Sequence, residues 1–139
     1  MKVLFVAGFG PMARETEVES SANLYGDVMG LALEREGTYL HTGNLAGVRH
    51  FAVWPLEQAA ESCFGEKAWP ARVPVPHAWI EFDVENLTAA TAELEAAGYQ
   101  ALVRDRTEPW GQRVTRFLSP EGLLVGLTVT PWMREGASS

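Results

Sequence analysis

Pro76-His77-Ala78-Trp79-Ile80-Glu81-Phe82-Asp83-Val84 alternates with a period of two. Ile80, Phe82 and Val84 fall on one side, and Trp79, Glu81 and Asp83 on the other, which is the pattern of a strand with two different environments. Asn86 then offers an N-cap for a helix from about Leu87 to Ala97, on which Leu87, Ala90, Leu94 and Ala97 share a face, and Gly98 supplies the stop. Beyond it, Tyr99 to Val103 reads as a short strand and the polar run from Arg104 to Gly111 as a loop. Arg113 to Leu118 alternates again, Ser119-Pro120-Glu121-Gly122 is a tight turn, and Leu123 to Thr130 is a strand stopped by Pro131. The order is strand, helix, three strands.

The first half repeats that order. Val3 to Phe9 reads as a strand, and Ser20 or Ser21 can cap a helix carrying Leu24, Tyr25, Val28 and Met29 that closes at Gly30. Leu31 to Glu36, Tyr39 to Thr42 and Val48 to Trp54 are candidate strands. Between the halves, Leu56, Ala59, Ala60 and Cys63 mark a short helix, and Val73-Pro74-Val75-Pro76 is a stiff connector. Two copies of one five-element unit imply an internal duplication. The expected organisation is a single α+β domain over residues 1–139. It has a first module at about 1–55, a linker at about 56–76, a second module at about 77–132 and a tail at 133–139.

Composition narrows the function. With 139 residues, 47% of them hydrophobic, the chain can bury one shared core. A net charge of −7 opposes binding to nucleic acid phosphates and mildly favours neutral or cationic ligands. There is no apolar run long enough to span a membrane, and the N-terminal strand is too short an apolar stretch for a secretory signal. The expected compartment is therefore the cytoplasm. Cys63 is the single cysteine, which excludes an intrachain disulfide and a Cys-rich zinc site.

Two stretches carry a resemblance to a known family. Ile80-Glu81-Phe82-Asp83-Val84-Glu85-Asn86-Leu87 with the Ala/Glu-rich helix to Ala96-Ala97-Gly98-Tyr99 is the first. Glu108-Pro109-Trp110-Gly111-Gln112 followed by Ser119-Pro120-Glu121-Gly122-Leu123-Leu124-Val125-Gly126 is the second. Both resemble the vicinal-oxygen-chelate superfamily, also called the glyoxalase/bleomycin-resistance/dioxygenase superfamily. Ser21-Ala22-Asn23-Leu24-Tyr25 and Met29-Gly30-Leu31 are similar to its helix-to-strand junction. The resemblance implies paired βαβββ modules curving into a partly open barrel around one pocket, commonly in a homodimer.

The resemblance also implies metal-ligand slots on the first and last strand of each module, filled in the family's enzymes by His, Glu or Gln. In the second module these slots fall on Trp79 and Gly126, neither of which can ligate a metal. In the first, spacing points near Gly10, and the last strand offers His50 in a set with Ala52 and Trp54. His41, His50 and His77 read as hydrogen-bonded strand residues, although His77, His50 and Glu81 could form a metal site of different geometry. The expectation is no metal and no cofactor.

What remains is a pocket. Trp79 and Glu81 point into it from one strand, Gly126 gives room from another, and Trp110 covers it from the Pro-Trp-Gly loop. Indole faces suit flat aromatic or cationic ligands. Trp54 and Trp132, each beside a proline, read instead as packing corners. An inward carboxylate needs a partner or a ligand, and Arg116 or Arg113 on the neighbouring hairpin can pair with Glu81. The candidate ligand-binding residues are Trp79, Glu81, Trp110, Arg116 and Gly126. Glu81 is the candidate for a catalytic base, with a histidine as the other choice. The expected function is a metal-free protein that sequesters a small organic molecule. The alternative is a lyase, isomerase or dioxygenase of the same superfamily.

Overall fold

Ile80, Phe82 and Val84 do separate from Trp79, Glu81 and Asp83, because the strand that carries them lies at the centre of a sheet with both faces in use. The computed structural model describes residues 1–134. It contains β1 (Val3–Ala13), α1 (Val18–Ala22), β2 (Glu34–Glu36), β3 (Tyr39–Thr42), β4 (Phe51–Pro55) and α2 (Leu56–Phe64). These are followed by β5 (Ala78–Val84), α3 (Leu87–Ala96), β6 (Val103–Thr107), β7 (Arg113–Leu118) and β8 (Leu124–Val129).

The strands form one eight-stranded sheet in the order β2-β3-β4-β1-β5-β8-β7-β6. From either edge inward, two antiparallel pairings lead to a parallel one, β4 with β1 and β8 with β5. The halves meet at the antiparallel pair β1 and β5, where Gly10 lies opposite Trp79 and Gly8 opposite Glu81. The duplicated βαβββ order is thus present. The sheet ends at β2 and β6 and does not close into a barrel.

Side chains alternate across each strand, so one face is covered by α1 and α3 and the other by α2. On the first face α3 sets Leu87, Ala90 and Leu94 against Val84 and Leu127, and α1 sets Val18 against Leu40 and Val53. On the second face α2 packs Ala59 and Cys63 with Ala52, Trp79, Val114 and Leu124. The stretch expected as a linker therefore begins with a packed helix. Asn86 caps α3 through its side-chain oxygen, which accepts from Ala89 N at 3.0 Å.

The structure corrects several expectations. The first helix does not start at Ser20 or Ser21. A 3₁₀ turn at Glu15–Glu17 leads into α1 at Val18, and Arg14 N donates to the Glu17 carboxylate at 2.8 Å to close its start. A π turn at Asn23–Val28 follows, and Gly30 ends it at φ +80°. The last strands of each half begin later than expected, and the strand expected at Tyr99–Val103 starts only at Val103, so that β6 (Val103–Thr107) runs into the segment expected to be a loop. β6 is an edge strand, so its charged residues serve solvent and ion pairs rather than an apolar face. Arg104 pairs with Glu95 of α3 at 3.0 Å, and Asp105, which has a positive φ of 44°, takes Arg113 at 2.6 Å. Arg113 is thereby committed to Asp105 rather than Glu81. No described helix is long and apolar enough to cross a membrane.

Candidate functional site: a tryptophan-lined cavity

On the face that carries α2, the middle of the sheet opens into a cavity of about 440 Å³. The first half contributes Tyr39, His41, His50 and Trp54, and the second contributes Trp79, Glu81, Trp110, Gln112 and Arg116. Gln58 of α2 lies in its wall, and Trp132 and Met133 reach it from a 3₁₀ turn at Pro131–Met133.

Trp79 is 4% exposed, and its Nε1–H donates to Ala52 O at 3.1 Å. Its ring stands edge-on to Trp54 with centroids 6.1 Å apart. The indole fits because the strand opposite carries glycine. A Cβ on Gly8 would lie 2.7 Å from the Trp79 ring, and one on Gly10 would lie 1.8 Å from Ala52 O, inside any tolerable contact. Trp54 is part of the cavity wall and lies under the Arg116 guanidinium, whose carbon is 5.1 Å from the ring centroid. Trp110 and Trp132 are both more than half exposed and border the cavity. Trp54, expected as a packing corner, does pack against the core and lines the cavity as well, whereas Trp132 is exposed at its border.

Glu81 and Arg116 come together as the hairpin spacing suggested. Glu81 accepts from Gln112 Nε2 at 3.1 Å, and Arg116 Nη2 approaches its other oxygen at 3.5 Å. Arg116 is 2% exposed and holds a second carboxylate, Glu108, at 3.1 Å, together with the Ser62 hydroxyl of α2 at 3.1 Å. Gly126 lies opposite Glu81 in the β5–β8 register, and a Cβ there would sit 2.9 Å from Glu81 Cγ. The space that Gly126 leaves is filled by Glu81, not left open for a ligand.

Three contributors were missed in the sequence. Gln112 is buried; its amide oxygen accepts from Trp110 Nε1 at 3.1 Å while its nitrogen donates to Glu81 and to Thr130 Oγ1 at 2.9 Å. A glutamine in a polar loop carries no periodic signal. Glu108 sits in the polar run read as a loop, yet it is 7% exposed. Tyr39 shares a 2.7 Å hydrogen bond with His50 Nε2, and the rings of Tyr39 and His41 stack at 5.2 Å. Burial, and then His41, lower the basicity of His50. Burial, and then the negative charges of Glu81 and Glu36, push the Tyr39 hydroxyl well above its usual range, while Arg116 opposes this less strongly.

The family's metal can be tested against these residues. Trp79 offers only an N–H, already donated; Gly126 offers nothing; Gly10 backs onto a carbonyl with no room for a side chain; His50 is joined to Tyr39. His77 is exposed and does not line the cavity, so His77, His50 and Glu81 do not assemble. Among the described residues no group of three or more His, Cys, Asp or Glu is placed to hold a metal. This donor set does not fit a divalent cation.

Behind the site, Asp83 is fully buried on β5 and accepts from Thr128 Oγ1, from Thr130 N at 2.9 Å and from Arg134 Nε at 3.0 Å. Arg49 Nη1 donates to Met133 O at 2.6 Å. These bonds pin the terminal turn that carries Trp132. Cys63 is buried on α2 with its thiol pushed up by burial, which leaves it unreactive.

The sequence model of the Glyoxalase/Bleomycin resistance protein/Dioxygenase superfamily matches residues 11–127. The chain belongs to that superfamily. No protein of curated function matches its sequence. Among solved structures it is similar to a glyoxalase/bleomycin resistance protein/dioxygenase superfamily member from Vibrio splendidus 12B01. The TM-score is 0.58 at 13% identity, over 90% of this chain and 97% of that one. It is also similar to a Streptomyces coelicolor methylmalonyl-CoA epimerase, at TM-score 0.56 and 15% identity, over 96% and 99% of the two chains. A third similar structure is the 2,2',3-trihydroxybiphenyl 1,2-dioxygenase of Sphingomonas wittichii strain RW1, at TM-score 0.56 and 18% identity. There the match covers 92% of this chain and 41% of the dioxygenase. At such identities the likeness is one of fold.

Proposed function

We propose that this is a metal-free small-molecule binding protein of the glyoxalase/bleomycin-resistance type, acting in the cytoplasm and sequestering an aromatic or cationic organic compound. The observation that carries the reading is the replacement of metal-ligand positions by packing. Trp79 and Glu81 fill the holes left by Gly8 and Gly126, and the space above them is walled by indoles and a phenol. Such a cavity gains affinity from ring stacking and from apolar burial rather than from coordination. Trp79, Glu81, Trp110 and Arg116 are the proposed ligand contacts, with Gly126 acting from beneath Glu81.

The Tyr39–His50 pair favours a second reading, an enzyme of the superfamily that moves a proton on a bound substrate, with Glu81 or His50 as base. One experiment separates the two. The purified protein is assayed for metal by elemental analysis and for ligand by quenching of tryptophan fluorescence against a panel of small molecules. A hit is then recovered and weighed by mass spectrometry. Binding without metal and return of the compound unchanged support the binding protein. Stoichiometric metal overturns it, and a converted compound favours the enzyme.

We propose further that the chain works as a homodimer. Val3, Val6 and Phe9 of β1 are each at least 39% exposed, and their register partners Val84, Phe82 and Ile80 place them on the face opposite the cavity, between α1 and α3. A second copy would cover that apolar strip. Light scattering should give about twice 15.2 kDa, and a monomer at tens of micromolar would count against it.

A further inference from the structure

We infer that the cavity takes an organic cation, with the positive charge set against Glu81 and the carbon skeleton lying between the indole faces. The inference rests on the reading of the cavity as a binding site and goes further by fixing the sign of the ligand's charge.

Arg116 divides its charge unequally between two carboxylates. It is the one guanidinium in the cavity wall, and two carboxylates reach it. Glu108 is held at 3.1 Å by Arg116 and at 2.8 Å by Arg106, and is itself outside the cavity lining. Glu81 faces the cavity, and Arg116 comes only to 3.5 Å of it. Its closer donor is the neutral amide of Gln112. Arg116 is therefore committed mainly to Glu108, and Glu81 remains an incompletely compensated carboxylate, 13% exposed at its side chain. A partly buried negative charge in that state is stabilised by any cation that can reach it.

The other walls agree in sign. Among the described residues that line the cavity, the carboxylates are Glu36 and Glu81 and the one permanent cation is Arg116. At Tyr39 the influence of Glu81 outweighs that of Arg116. Of the two histidines in the wall, His50 is hydrogen-bonded to the Tyr39 hydroxyl at 2.7 Å and His41 to Glu36 at 3.1 Å. The indoles contribute in the same direction, since their ring faces are electron-rich and attract positive charge. Arg116 already uses Trp54 in this way. Trp110 and Trp132, more than half exposed at the border, are left for a ligand. An anion would meet two carboxylates and the negative faces of the rings with no free donor cation.

The test uses three probes of one size and different charge: N-methylquinolinium, 1-methylnaphthalene and 1-naphthoate. Each is measured by equilibrium dialysis against the full-length protein at neutral pH and low salt. The expected order is cation, then neutral, then anion, with the cation about tenfold or more tighter than the neutral probe. Raising the salt should narrow that gap. Glu81→Gln should bring the cation to the affinity of 1-methylnaphthalene and leave 1-methylnaphthalene itself unchanged. Equal affinity for all three probes overturns the cation inference while the binding reading stands, and tightest binding of 1-naphthoate overturns it as well. A cation preference that persists undiminished in folded Glu81→Gln removes Glu81 from the role and overturns the inference as stated. Binding of none of the probes overturns the binding reading and this inference together. Should Glu81→Gln not fold, the charge series on the unaltered protein decides alone.

Discussion

Glu81 occupies the space that a side chain on Gly126 would need: the two are register partners on β5 and β8, and a Cβ at 126 would lie 2.9 Å from Glu81 Cγ. Replacing Gly126 by glutamate would set two carboxylates in one hole beside a single guanidinium. Gly126→Glu should lose about 2–4 kcal/mol of stability in denaturant unfolding, from overpacking and an unpaired buried charge. It should take up no zinc, nickel, manganese or iron by elemental analysis, because Trp79 still occupies the other metal-ligand position of that half. Metal bound at one equivalent would contradict the account of the slots.

Trp110 is 57% exposed, and its one hydrogen bond goes to Gln112. Trp110→Ala should therefore shift the melting temperature little. It should weaken any ligand found for the cavity by about 1–3 kcal/mol, the range for losing an aromatic anchor. Unfolding of the variant with ligand affinity unchanged would show Trp110 to be a core residue.

Gly10 and Gly126 lack side chains for different neighbours, and alanine should tell them apart. At Gly10 the new Cβ meets a backbone carbonyl at 1.8 Å, whereas at Gly126 it meets the flexible end of Glu81. Gly10→Ala should cost about 4 kcal/mol or more, enough to prevent accumulation of folded protein, and Gly126→Ala about 1–2 kcal/mol. Comparable urea midpoints for the two would refute the packing argument.

Asp83→Ala removes the acceptor for Thr128, Thr130 and Arg134 at once. The expected cost is about 3–5 kcal/mol, as for breaking a buried pair. Arg134→Ala leaves Asp83 with two of its donors and should cost less, about 1–2 kcal/mol. It should also free Trp132, read as a red shift of tryptophan emission.

His50 is less basic in the fold than its ordinary value of 6.5, through burial first and His41 second. The unfolded chain therefore binds a proton that the folded chain resists. His50 favours folding fully above pH 6.5, and that contribution is lost as pH falls from 6.5 through the lower folded value. The His50 ring signal should titrate below 6.5 by NMR, and His50→Gln should flatten the fall in stability on the acid side. A His50 titration at or above 6.5 would show the ring to be solvated.

Much of the fold was legible because its cues are local. Alternation in residues 78–84, the Asn86 cap and the Gly98 stop all act within one element, and α3 and β5 lie where those cues put them. β6 was placed too early, at Tyr99–Val103, because an edge strand carries charges on both sides and its pairing leaves no apolar alternation to read. In the cavity wall, Trp79 and Glu81 could be expected from strand facing, and Arg116 only as one of two possible partners for Glu81. Gln112 and Tyr39 were not, since each owes its place to a partner more than 10 residues away, and Glu108 was not, since its burial depends on Arg116 across the hairpin. Gly126 was expected to give room within the pocket, and Glu81 takes that room instead, because spacing along one strand says nothing about which neighbour leans into a gap.

The cavity draws its walls from both halves of the sheet, and those halves meet chiefly along β1 and β5. A molecule lodged there touches Tyr39 or His50 on one side and Trp79 or Trp110 on the other, so it bridges that seam. Its free energy of binding is then also free energy of cohesion between the halves, available only while both are folded. Occupancy should make the two repeats melt as one cooperative unit, even where the empty protein lets one of them open first.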